Sequence, residues 1–167
     1  MQSRISLLTD NINFARNYTV ELIDTIPQAE WFTMPPGCPS NVAWQVGHLA
    51  TAEARLVLLR ACERDLEAEG LPAEYIPLFL RTMVVEPDAA KYPPAQEIRA
   101  VFDRIHEAAL RALKGLSDND LDVIVEGAQH RLCRTKVDFI RWCSHHEFLH
   151  TGQIGLIRRM LGHKPVW

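Results

Sequence analysis

The 167-residue chain is 47% hydrophobic and 23% charged, the balance of one soluble globular domain spanning 1–167 with enough residues to bury a core. A net charge of −3 with no basic block gives non-specific nucleic-acid binding little electrostatic support. Apolar runs are short and broken by Arg or Glu, so no segment is expected to span a bilayer.

The first stretch meets Asp10 and Asn11 too soon for a signal-peptide core, and a cytoplasmic protein is expected. Cys38, Cys62, Cys133 and Cys143 form no C-x-x-C pair, which favours reduced thiols over a disulfide framework. Ile5, Leu8, Ile12, Ala15, Thr19, Leu22 and Ile26 step by three and four, one apolar stripe on a long first helix that Pro27 ends. A turn-rich loop over residues 33–39 comes next, and Ser40 is the expected N-cap of a second helix over residues 41–69, closed by Gly70. On that helix His48, Ala52 and Leu59 share a face, with Leu56 at its edge.

Five prolines make residues 71–95 a long connection, with one helical turn expected around residues 78–83. Pro94 suits the first turn of a third helix, whose stripe is Ile98, Val101, Ile105, Ala108, Ala109 and Ala112 and whose end is Gly115. Ser117 is placed to cap a short turn over residues 118–121, and VIVEG within residues 122–134 is compatible with an extended segment. Thr135 and Asp138 have the spacing of a capping box and open a last helix that runs to about Leu161. Four long amphipathic helices with a long crossover between the second and third predict an all-α four-helix bundle.

The last helix carries the chemistry. Phe139, Cys143, His146, His150, Ile154, Ile157 and Leu161 form its expected buried seam. His146 and His150 are one turn apart on it, so their rings stack on one face and can aim nitrogens at one ion. Two neutral core imidazoles would otherwise need four satisfied ring nitrogens. The stretch His146-Glu147-Phe148-Leu149-His150 is also spelled like the zinc-protease H-E-x-x-H motif. However, no Asp or Glu comes after His150, the extended metzincin positions hold Gln153 and Leu156, and no sheet is expected to present a peptide. His48, on the apolar face of the second helix, is the better third ligand, since facing helices of a bundle can combine one ligand with two. Three imidazoles on zinc leave the fourth position open. His106, His130, His145 and His163 are weaker candidates: off the main stripe, in an irregular region, turned toward a neighbour or solvent, and past the helix end.

NVAWQVGHLATAE, joined about a hundred residues later by HHEFLHTGQIGLIRRMLG, resembles the DinB-like superfamily of metalloenzymes. The residues that carry the resemblance are His48, His146 and His150 with the Gly152-Gln153-Ile154 step, and the outline extends over nearly the whole chain. The resemblance implies an up-down-down-up bundle, a three-histidine divalent metal site often filled by zinc or nickel, and a homodimer. Some relatives are transferases or isomerases that use a low-molecular-weight thiol, such as bacillithiol, mycothiol or glutathione.

A tri-histidine metal with open positions is a Lewis acid that can activate water or hold a thiolate, which fits a hydrolase or a thiol-dependent transferase acting on a small molecule. Its uncompensated positive charge favours an anionic partner. The alternative is a metal-binding stress or detoxification protein without turnover. Glu147 stands where zinc proteases keep their general base, but its Cα lies about 100° around the helix from that of His146. It could serve as base, orient a ligand of a neighbouring helix, or face solvent. Gln153 could hydrogen-bond near the site or pack ordinarily. Cys143 fits a small buried apolar residue better than a fourth ligand. Trp31, Trp44 and Trp142 suit core or pocket wall.

Overall fold

The computed structural model describes residues 2–80, 83–127 and 130–166. Five α-helices are present among them: α1 (Arg4–Ile23), α2 (Val42–Glu53), α3 (Tyr75–Phe79), α4 (Ala95–Leu113) and α5 (Lys136–Met160). No strand occurs among the described residues, and none of their helices is long and apolar enough to cross a membrane.

α1 packs on α5 and α2 on α4, with α5 also lying against α2. The α1 stripe is inside from Leu8 to Leu22, and every member of the expected α4 stripe is buried. Among the largest fully buried side chains are Phe102 of α4 and Phe139 of α5, with Ile12 and Leu49 from α1 and α2. α5 begins as its spacing predicts: the Asp138 carboxylate accepts hydrogen bonds from the Thr135 backbone N–H and hydroxyl.

The second helix differs from the sequence expectation at three points. Its N-cap is Asn41, whose side-chain oxygen accepts from the Trp44 N–H at 2.8 Å; Ser40 is released for another task. After Glu53 the chain widens into a π-helical segment, Ala54–Ala61, marked by Cys62 N–H donating to the Val57 carbonyl. Helical structure then stops at Cys62, well before Gly70, because Glu63 takes a left-handed backbone conformation with φ 56°. The extra residue per turn rotates the later positions of the segment, so Leu59 is exposed and Leu58 is buried instead.

The helical turn expected at residues 78–83 lies earlier, as α3; positions 81 and 82 are outside the described residues. Phe79 of α3 lies directly against Gly47, where an added Cβ would sit 2.4 Å from the ring. Glycine at 47 therefore lets α3 touch the backbone of α2. The Asp120 carboxylate accepts from the N–H and hydroxyl of Ser117, and a short 3-10 turn, Asp120–Asp122, comes next. The extended stretch reduces to a single antiparallel bridge between Ile124 and Thr135, flanked by Val125 N–H to Arg134 carbonyl at 2.9 Å. That closure projects the segment around His130 over one end of α5, where His130 meets Phe139 and Trp142.

Candidate metal centre

His48 comes from α2 and His146 and His150 from α5, and their rings converge. The His146 Nε2 lies 3.4 Å from His48 Nε2 and 3.2 Å from His150 Nε2. One ligand atom from each of the three falls within 4.8 Å of the others. Four-coordinate zinc, with Zn–N of about 2.0–2.1 Å, sets neighbouring nitrogens roughly 3.3–3.4 Å apart. The two distances to His146 are thus those of a coordination sphere, and the third pair lies within 4.8 Å.

The remaining ring nitrogens fix the tautomers. His48 Nδ1 is 2.7 Å from the Phe79 carbonyl oxygen, which can only accept, so the proton is on Nδ1 and the lone pair on Nε2. Phe79 ends α3, where helix carbonyls lack intrahelical donors, so this acceptor is free for the task. His150 Nδ1 is 2.5 Å from Gln45 Oε1, and the Gln45 amide is itself held by Ser40 Oγ at 2.8 Å. Ser40, Gln45 and Phe79 therefore turn two lone pairs inward, as carbonyl and carboxylate partners do for metal-ligating histidines. A proton on His146 Nε2 could satisfy one neighbour but not both; a cation satisfies all three.

Electrostatics agree. Burial, reinforced by His48 and His130, lowers the His146 pKa to about 4, and burial with His146 and His48 lowers that of His150 to about 3. Both rings are uncharged near neutrality, the form a metal requires. Trp44 stacks on the His48 ring with centroids 4.8 Å apart and planes 9° apart, and Trp142 stands 6.2 Å from His146. The tryptophans expected as core or wall are both.

A cleft of about 840 Å³ opens on His48 and His146. Its walls include Arg55 and Arg60 of the π-helical segment, Phe79, Trp142, and His130 and Arg131 of the loop.

The other singled-out residues lie elsewhere. Glu147 is buried and both its oxygens bind Arg16: Oε1 to Nε at 2.7 Å and Oε2 to Nη2 at 3.2 Å. Gln153 is exposed, and the amide at the site is that of Gln45. Cys143 is buried, and desolvation pushes its thiol well up, with Glu53 and Glu147 adding to the effect; it is a neutral packing residue. His145 is exposed beside Trp142, and His163 pairs with Glu30 at 2.7 Å.

The sequence expectation missed a second polar cluster in the core. Arg16 of α1 also donates Nη2 to Glu53 Oε2 of α2 and Nη1 to the Phe102 carbonyl of α4, each at 2.7 Å, and its guanidinium lies 3.4 Å from the centre of the Phe102 ring. His106 of α4 adds Nδ1 to Glu53 at 2.9 Å and Nε2 to Asn13 at 3.0 Å. Burial opposes ionisation of Glu53, yet Arg16 and His106 together hold its carboxyl below its ordinary value. One arginine thereby ties all four long helices, and Glu147 joins this tie to the turn between His146 and His150. The available signal was an arginine next to Ala15 on the apolar stripe.

The fold and site define an all-helical protein with a three-imidazole site suited to a divalent cation. The family model of the DinB superfamily matches residues 11–154, a span that includes all three histidines, and the chain belongs to that superfamily. No curated protein matches it.

Proposed function

We propose that this protein is a metalloenzyme that holds one divalent cation, zinc or nickel, on His48, His146 and His150 and acts on a small-molecule substrate. The reaction class is thiol-dependent S-transfer or hydrolysis. The observation that carries this is the convergence of three Nε2 atoms at coordination spacing, with two Nδ1 protons committed outward. A divalent ion there supplies Lewis acidity and favours the thiolate or hydroxide form of a bound group.

The chain's own residues do the rest. Phe79 and Gln45 orient two ligands, and Trp44 and Trp142 wall the site and restrict water. Glu147 serves as a positioning residue through Arg16, since both its oxygens are engaged there. His130 is the non-ligand imidazole on the cleft wall; its Nδ1 accepts from the Leu132 N–H at 3.2 Å, which puts the ring proton on Nε2, where it can donate a hydrogen bond to a bound group.

The same proposal takes the four long helices as an up-down-down-up bundle with a long crossover between the second and third of them, in a cytoplasmic protein whose four cysteines are unpaired. It also takes the chain as a homodimer. In support, Phe14 and Phe148 meet on the outer side of the α1–α5 pair with rings 6.0 Å apart, and both are exposed. A non-catalytic metal-binding role is the second reading, favoured by the lack of any Asp or Glu among the described residues that line the cleft.

The test is turnover by untagged, metal-loaded protein against low-molecular-weight thiols paired with electrophiles, and against activated esters. Metal-dependent turnover that disappears in His146→Ala supports the enzyme; silence across the panel with metal bound favours the second reading. Sedimentation of the same preparation separates dimer from monomer.

A further inference from the structure

The π-helical segment shapes the cleft. His48 and Arg55 are seven residues apart, two turns of α-helix, and share a face. In a continuous α-helix a residue five positions after Arg55 would lie about 140° away from that face. With i→i+5 hydrogen bonding, residues five apart lie nearly above one another instead. The widened turn of Ala54–Ala61 thus returns Arg60 to the side of Arg55 and His48, and all three line the same cleft. Arg131 reaches it from the loop. Arg55 and Arg131 are exposed and Arg60 is half-buried. Among the described residues none of the three guanidinium groups forms an ion pair, and no carboxylate lines the cleft.

Unpaired arginines around a concave site are unusual for surface chemistry, because a soluble protein readily supplies carboxylates to neutralise them. Here the same chain pairs Arg4, Arg99 and Arg141 with nearby Asp residues. The planar fork of arginine matches a carboxylate or phosphate and makes charge-assisted, bidentate hydrogen bonds to it.

We infer that the metal cleft selects a small organic anion, whose carboxylate or phosphate is gripped by Arg55 and Arg60, with Arg131 completing the charge, while another donor atom of the same molecule faces the three histidines. This rests on the metal reading of the site and adds the substrate class to it. The π-helix is then a specificity device: it aligns the anion clamp with the metal face.

The test uses calorimetric titration of cobalt-loaded wild type and of the Arg55→Gln/Arg60→Gln double variant. The probes are 3-mercaptopropionate, its methyl ester and 2-mercaptoethyl phosphate, three thiols that share a metal-seeking group and differ in charge. Wild type is expected to bind at least one anionic probe about tenfold or more tighter than the ester, a preference equivalent to about 1.4 kcal/mol. Which anion wins distinguishes carboxylate from phosphate. The double variant is expected to keep its cobalt content, melting temperature and ester affinity and to lose the preference. Equal affinity of wild type for all three thiols overturns the inference while leaving the metal site standing. So does a preference that survives in the double variant, since the ion's own charge would then be its source. Failure of wild type to take up about one cobalt per chain overturns the metal reading itself, and this inference with it.

Discussion

Replacing Arg16 with methionine is expected to cost about 3–5 kcal/mol of folding stability, read as a fall in the urea midpoint at neutral pH. Methionine fills much of the same space, so the loss is mainly electrostatic. It strands Glu53 and Glu147, exposed by only 1% and 2%, without the guanidinium that now binds both. The Phe102 carbonyl loses its side-chain donor as well. Against a total of about 5–15 kcal/mol for a domain, such a loss is a large share of the whole. The triple variant Arg16→Met/Glu53→Gln/Glu147→Gln is expected to regain much of it, because the uncompensated charges are gone while amide hydrogen bonding remains. A single variant within about 1 kcal/mol of wild type would contradict the role given to this cluster.

The second large effect is on the metal site. Ligand present at a thousand times its dissociation constant stabilises the fold by about 4 kcal/mol, on the order of 10 °C in melting temperature for a chain of this size. Wild type is expected to show a rise of that order with zinc or nickel, and His150→Ala to show almost none, since two imidazoles remain.

The same variant carries a pH signature after chelator treatment. In the metal-free fold His150 has its pKa lowered to about 3, against about 6.5 when unfolded. The unfolded chain therefore binds the proton first. Stability is fully present above pH 6.5 and is lost as pH falls toward the folded value. Between pH 7 and pH 4.5, metal-free wild type should lose on the order of 2 kcal/mol more than His150→Ala. A variant that keeps the metal response, or that is as acid-sensitive as wild type, would remove His150 from the site.

A fold is legible in its sequence to the extent that the forces holding it leave a periodic trace. The stripes of α1 and α4 are legible because burial of apolar side chains imposes the helical period on Ile12, Leu22, Ile98 and Ile105. The triad is legible because His146 and His150 are one turn apart and His48 lies on an apolar face. The widened turn after Glu53 leaves no mark of its own: Ala-Arg-Leu-Val-Leu-Leu-Arg-Ala suits an α-helix, so the register slips by a residue and Leu59 is misplaced. The buried ion cluster is hidden for a different reason. Apolar periodicity passes over Arg16 and Glu53 as surface charges, and only three-dimensional proximity shows that each answers the other. Gln153, beside the motif, attracted the role that Gln45 performs from the facing helix, because the partner of a ligand is set by packing across helices.

X-ray absorption at the zinc edge, on untagged protein carrying one zinc per chain, tests the central claim most directly. Three imidazole nitrogens at about 2.0–2.1 Å are expected, falling to two in His48→Ala. A spectrum without imidazole scattering, or one unchanged by removing His48, would contradict a site built by α2 and α5 together.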